Sequence, residues 1–250
     1  MAPRFIRCLK TYWSFGILVG FIFFIATPLG WWHTLTGGVN ERNRSSFHRL
    51  KARFFRFYTF HCVCYAKPEL RNPHGETFEK PALVIANHQS LLDLPATLML
   101  HDKLVAMTGQ WVWESKIYGR VIRFADFLPS SMPMEEMLDH IRDCMSRGYS
   151  VLIFPEGTRS EDCQRHTFRR GAFHLAEQLR CDVVPVTLWG TGRVLPKQDF
   201  CLTPGREVIE IGRRVRYDEG LMGETHGAMT RYWHKQYQRR YAELEAEMLG

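Results

Sequence analysis

Five short apolar runs, near residues 82–86, 103–107, 150–154, 183–188 and 207–211, constrain the fold of this chain more than any other feature. Stretches with helical periodicity lie among them, at 90–101, 111–124, 133–147, 169–180 and 224–248. A four- to six-residue run without polar alternation is the mark of a strand buried on both faces. Alternation of such strands with helices predicts an α/β fold, a mixed, largely parallel sheet flanked by helices. Its 250 residues suffice for one substantial domain with appendages. The organisation expected is an N-terminal membrane anchor and basic amphipathic helix over residues 1–66, then the sheet domain with its C-terminal helix over 67–250. Lys67 to Lys80, with Pro68, Asn72-Pro73 and His74-Gly75, reads as a connecting loop.

From Tyr12 to Trp32 no charged residue occurs, and the run is near the roughly 20 residues that cross a bilayer. Tyr12, Trp13, Trp31 and Trp32 bracket it as interfacial aromatics do. No small-residue cleavage pattern ends it, so a retained anchor is expected and not a signal peptide. Arg4, Arg7 and Lys10 precede the run, and Arg42, Arg44, Arg49, Lys51, Arg53 and Arg56 follow it. Positive charge on both flanks conflicts with a full span. A helix dipping into one leaflet, both ends on the cytoplasmic side of the inner membrane, removes the conflict. Phe47, Leu50, Phe54, Phe57, Tyr58 and His61 then recur at three- and four-residue steps, a pattern that fits a second, membrane-contacting helix.

A net charge of +7 and a pI near 9.1 suit an anionic partner. Because the basic residues cluster beside the apolar run and no nucleic-acid motif is present, the bilayer is the expected partner and nucleic acid is not. The seven cysteines form no C-x-x-C pair and read as free thiols in a reducing cytoplasm. A zinc site on His61, Cys62 and Cys64 lacks a second ligand pair at a matching distance. No metal is expected.

Two strand ends carry chemistry. The first apolar run breaks at Asn87-His88, and a helical pattern follows from Ser90, a candidate N-cap, with Asp93 in its first turn. The turn can bring the His88 imidazole and the Asp93 carboxylate within hydrogen-bonding range. A carboxylate on one ring nitrogen leaves the other free to take a proton. Alone, the pair is better explained by a loop histidine satisfying a carbonyl, with Asp93 favouring the helix dipole. The second strand end, Phe154-Pro155-Glu156-Gly157-Thr158-Arg159-Ser160, reverses that preference. It delivers Glu156 and Arg159 at the carboxyl end of another strand, where ligands sit in open α/β sheets. Gly157 permits close backbone approach, and Arg159 suits an anion.

Together, N-H-Q-S-L-L-D and F-P-E-G-T-R-S resemble the first and third signatures of the lysophospholipid (glycerolipid) acyltransferase superfamily, in the same order. Phe168-Arg169-Arg170-Gly171-Ala172 and Val183-Val184-Pro185-Val186 resemble two further blocks, so the likeness covers about residues 81 to 190. The resemblance implies a membrane-associated enzyme that moves a fatty acyl group from an acyl thioester to a hydroxyl of a lysophospholipid or related lipid. The donor would be acyl-CoA or acyl-carrier protein. It implies His88 as general base, Asp93 as its orienting acid, and Asn87, Glu156, Gly157, Thr158 and Arg159 as substrate-binding residues. A cofactor is not expected, because the thioester is already activated. The second block departs from the pattern. Gly109 stands where relatives acting on lysophosphatidic acid carry lysine, and their late arginine is absent. That points also to an acceptor other than lysophosphatidic acid, in a specialised lipid or aryl-polyene pathway.

Other readings fit less well. No G-x-S-x-G elbow supports a serine hydrolase, and Asn87-His88 stands where a nucleotide-binding enzyme needs glycines. A non-catalytic protein binding anionic lipid through its N-terminal helices shares the membrane features and lacks a use for the two strand ends.

Overall fold

The computed structural model describes residues 3–160 and 168–250. Helix α1 (Arg4–Phe21) continues through a π-helical turn at Ile22–Ala26 into α2 (Thr27–Leu35). Helix α3 (Glu41–Phe57) is capped by Asn40, whose side chain accepts from the N–H of Asn43. Then follow β1 (Ala66–Arg71), β2 (Leu83–Ala86), α4 (Asp93–Leu98), β3 (Leu104–Thr108), α5 (Gln110–Trp113), α6 (Gly119–Phe124) and β4 (Leu128–Pro129). The chain continues with α7 (Met134–Ser146), β5 (Ser150–Ile153), α8 (Arg170–Leu179), β6 (Val183–Trp189), α9 (Thr191–Val194), β7 (Gly205–Ile211) and α10 (His226–Leu249).

The strands form one sheet in the order β1-β7-β6-β2-β5-β3-β4. All neighbours are parallel except β6 and β7. The five expected strands are present, and the mixed, largely parallel sheet is as predicted. Strands β2 and β5, which carry the two motifs, are adjacent at its centre, with Ile85 beside Ile153. Every residue of β2 is buried, which is why it reads as an unbroken apolar run.

The short elements β4 and α9 have no counterpart in the sequence reading, and three longer ones differ from it. Strand β1 lies inside the predicted connecting loop, because an edge strand paired only to β7 tolerates Pro68. The helix expected over 111–124 is split, since the Ser115 hydroxyl accepts from the N–H groups of Ile117 and Tyr118 and competes with the helical ladder. Helix α4 starts at Asp93, three residues past the expected cap. Ser90 uses its hydroxyl on the Leu195 carbonyl, at 3.0 Å.

The N-terminal helices share the core of the sheet domain: Phe21, Ala26, Phe47 and Phe55 are buried in the same cluster as β2 and β5. The apolar stripe expected to face lipid on α3 is therefore divided. Phe47 and Tyr58 turn inward and Phe54 stacks on Phe21 at 3.7 Å, while Leu50 and Phe57 stay outside with Arg49, Arg53 and Arg56. Lys51 is buried, donating to the carbonyl of Leu104 (2.5 Å) and bonded to His48 Nδ1 (2.9 Å). Burial pushes its amine down to about 7, so near neutrality much of it carries no charge.

The expectation of free thiols fails at Cys8 and Cys201, which form a disulfide with Cα atoms 4.8 Å apart. It ties the start of α1 to the segment before β7, a pairing across 193 residues that no local spacing reveals. Cys62, Cys64, Cys144 and Cys181 are free, and Cys163 lies outside the described residues.

One turn is sharply constrained by sequence. Gly190 has φ +85°, and a β-carbon there would overlap the carbonyl oxygen of Arg206 in the adjoining strand. Gly190→Ala is expected to cost about 2–5 kcal/mol, combining left-handed strain with overpacking. Chemical denaturation would measure it, and an unchanged midpoint would contradict this account.

Candidate active site

The β2–α4 turn builds the centre of the site. His88 Nδ1 lies 2.8 Å from Asp93 Oδ2, so the two residues meet as predicted. The same oxygen accepts from the backbone N–H groups of Gln89 (2.5 Å) and Ser90 (2.7 Å). Asp93 is fully buried. Its carboxylate can only accept from Nδ1, which fixes the proton there and leaves Nε2 for chemistry. The His88 ring stacks on Phe154 at 4.3 Å, one strand away, with 21% of its side chain exposed.

The β5 loop supports His88 from the other side. Glu156 Oε1 accepts from the His88 N–H at 3.2 Å, and Ser160 N–H donates to the His88 carbonyl at 2.8 Å. Glu156 is buried and organises the turn. Gly157 has φ +70°, and a β-carbon on it would meet Arg169 Nε at 2.9 Å. Asn87, expected to touch substrate, is fully buried: Nδ2 donates to the Leu188 carbonyl (2.8 Å) and Oδ1 accepts from Leu188 N–H (2.7 Å). An amide side chain mimics both ends of a peptide unit, so Asn87 extends the β2–β6 pairing past the end of β2. Its amide thereby braces the turn.

His88 opens into a cavity of about 430 Å³. Apolar side chains dominate its wall, including Met107, Met132, Met134, Met137, Ile153 and Leu175. Gly157 and Arg169 also line it, whereas Thr158 and Arg159 stand outside its lining. The Arg159 carbonyl accepts from Lys197 Nζ at 3.0 Å. Among the described residues the cation on the cavity wall is Arg169, at the start of α8. The expected block Phe168-Arg169-Arg170-Gly171-Ala172 contains it, and only the fold shows that this arginine adjoins His88. From the divergent second block come Gly109 and Ser130, which supply no cation.

Glu207 on β7 escaped the sequence reading entirely. It is buried, and burial together with the nearby Asp93 charge pushes its carboxyl up to about 8. At neutral pH it is mostly protonated. Among the described residues no group of three or more His, Cys, Asp or Glu side chains could hold a metal ion.

Comparison with known proteins agrees with the motifs. A 1-acyl-sn-glycerol-3-phosphate acyltransferase of Chlamydomonas reinhardtii is 35% identical over 145 residues, 55% of this chain and 43% of that protein. The chloroplastic 1-acyl-sn-glycerol-3-phosphate acyltransferase LPAT1 of Arabidopsis thaliana is 37% identical over 124 residues, 47% of this chain and 34% of that protein. The matched stretch spans less than half the length of these relatives. The crystal structure of the 1-acyl-sn-glycerophosphate (LPA) acyltransferase PlsC from Thermotoga maritima superposes with a TM-score of 0.77 at 21% identity. It covers 97% of this chain and 99% of its own, so the fold is shared over nearly the whole length. The family model described as Acyltransferase matches residues 63–189, half the chain and both strand ends that meet at His88, and the chain belongs to that family.

Proposed function

We propose that this protein is a membrane-bound O-acyltransferase that esterifies the free hydroxyl of a 1-acylglycerol-3-phosphate or a closely related lysolipid. The observation that carries this reading is the His88–Asp93 pair, 2.8 Å apart, at the mouth of an apolar cavity. His88 Nε2 removes the proton of the acceptor hydroxyl as its oxygen attacks the thioester carbonyl. The tetrahedral adduct collapses by breaking the C–S bond, and the imidazolium returns its proton to the departing thiolate. The acceptor is itself the nucleophile, so no acyl-enzyme forms and no cofactor takes part. Asp93 holds the tautomer and stabilises the imidazolium. The methionine-rich cavity accommodates the acyl chain, for which flexible thioether side chains are well suited. Arg169 meets the phosphate.

The relatives' names favour lysophosphatidic acid as acceptor, and the cavity wall adds a reason to test others, because the second block brings no cation to it. Purified protein offered labelled acyl-CoA and acyl-carrier protein, each with lysophosphatidic acid and lysolipids lacking the phosphate monoester, is expected to esterify lysophosphatidic acid fastest. Faster transfer to an uncharged acceptor would assign the alternative substrate. No transfer to any acceptor would leave the non-catalytic lipid-binding role.

On the positive charge flanking the apolar helix, and not on its thiols, the same proposal puts the protein on the cytoplasmic face of the inner membrane. The helix Arg4–Leu35 has 32 residues, about 48 Å at 1.5 Å per residue, against about 30 Å of hydrocarbon. Both of its ends are fastened to the sheet domain. Arg7 donates to the Leu202 carbonyl and the Thr203 hydroxyl, and Trp31 donates to the Ile117 carbonyl beneath Arg120. A helix so tied lies along the domain, and its exposed Tyr12, Trp13, Phe24, Trp32 and Leu35 enter one leaflet. Cysteines introduced at Pro3, before the helix, and at Lys235, after it, should label from the same side of sealed vesicles. Labelling from opposite sides would establish a full span instead.

A further inference from the structure

Helix α10 lies beyond the residues matched by the family model, and its sequence announces no chemistry. One of its side chains nevertheless reaches the centre of the sheet. Tyr237 is buried, with its ring edge-on to Phe168 at 5.1 Å. Its hydroxyl sits 2.5 Å from the carbonyl of Ile85, 3.1 Å from the N–H of Val186 and 3.0 Å from the carbonyl of Val186. A phenol has one proton, which the short contact assigns to Ile85, and it accepts from Val186. The register pairs Ile85 with Pro185 and Ala86 with Val186, so the hydroxyl clasps β2 to β6 three residues before His88.

The chain from there to His88 is held at several points. Tyr237 fixes Ile85, the Asn87 amide is paired with Leu188, and Glu156 and Ser160 hold the N–H and carbonyl of His88. Three of these four supports come from within the matched family region, and the fourth comes from α10. We propose that Tyr237 is a positioning residue for His88. Through its hydroxyl the C-terminal helix sets where β2 ends, and so where the imidazole stands relative to Phe154 and the cavity. Burial keeps the phenol protonated, which suits a fixed donor and excludes a role in proton transfer.

Displacing a catalytic group by about 1 Å can cost about 10²-fold in rate. Tyr237→Phe removes the clasp and keeps the ring. Assayed well below its melting temperature, it is expected to lower kcat about 10-fold or more, with KM for donor and acceptor within about 2-fold. The ring-nitrogen NMR signals of His88 should shift as its contact with Asp93 changes. Tyr241→Phe, which removes another buried hydroxyl from the same helix, should leave kcat and those signals unchanged. If Tyr237→Phe melts earlier but keeps the wild-type kcat and His88 signals, its role is stability alone and the proposal fails. Should that variant not fold, 3-fluorotyrosine at position 237 keeps the shape and alters donor strength; an unchanged kcat and unchanged His88 signals would overturn the proposal equally. The kinetic arm rests on the acyltransferase reading, whose failure would appear as no transfer by wild-type protein, whereas the NMR arm reads His88 directly.

Discussion

His88→Ala is expected to lower kcat for acyl transfer by about 10²–10⁴-fold, the usual contribution of a positioned general base. The fold should survive, for reasons visible in the turn. The backbone N–H and carbonyl of His88 keep their bonds to Glu156 and Ser160, and Asp93 keeps its two backbone donors. The lost ring faces the cavity and the Phe154 ring, so its removal enlarges an existing space and opens no sealed hole. Circular dichroism and a thermal melt should therefore match the wild type within a few degrees while steady-state turnover collapses. KM for the acyl donor should change little, because the proposed seat of its acyl chain is the apolar wall and not the imidazole. A His88→Ala protein that retains more than about a tenth of wild-type kcat would remove His88 from the chemistry.

Much of this was legible in the sequence because the informative signals are local. Buried parallel strands leave no alternation, so β2 and β5 appear as Leu83–Ala86 and Ser150–Ile153 without any knowledge of their partners. A strand that stops at a turn residue exposes its carboxyl end, which is how His88 and Glu156 could be placed in one site. What escaped is what depends on long-range contact. Pro68 argues against a strand until an edge position next to β7 is available for it. Lys51 looks like one more surface cation, and only the packing of α3 on the sheet reveals a buried amine on Leu104. Asn87 has the residue type and position of a substrate ligand, and its amide is claimed by Leu188, 101 residues away. Arg159 lies within the stronger motif, yet Arg169, ten residues on, reaches the cavity wall because α8 begins there.

Asp93→Asn is the sharper probe of the mechanism, because it separates charge from shape. The carboxylate oxygen that meets His88 also receives the N–H groups of Gln89 and Ser90. An asparagine can place its oxygen in that position and keep all three donors, so the turn should fold as before. What it lacks is the negative charge that, on the proposed mechanism, stabilises the imidazolium formed when the acceptor hydroxyl is deprotonated. A loss of about 10²–10⁴-fold in kcat is expected. Asp93→Ala should behave differently, since it leaves two buried N–H groups without an acceptor, and each is worth about 1–3 kcal/mol when unsatisfied. That variant should lose more stability than Asp93→Asn, which keeps the shared acceptor and adds only an amide NH2 where the buried Oδ1 has no partner. The double variant His88→Ala/Asp93→Asn completes the test. If Asp93 acts through the imidazole, removing it from a protein that already lacks His88 costs almost nothing further. Losses that instead multiply would mean that Asp93 serves the reaction by a separate route, and the pairing at 2.8 Å would then be structural.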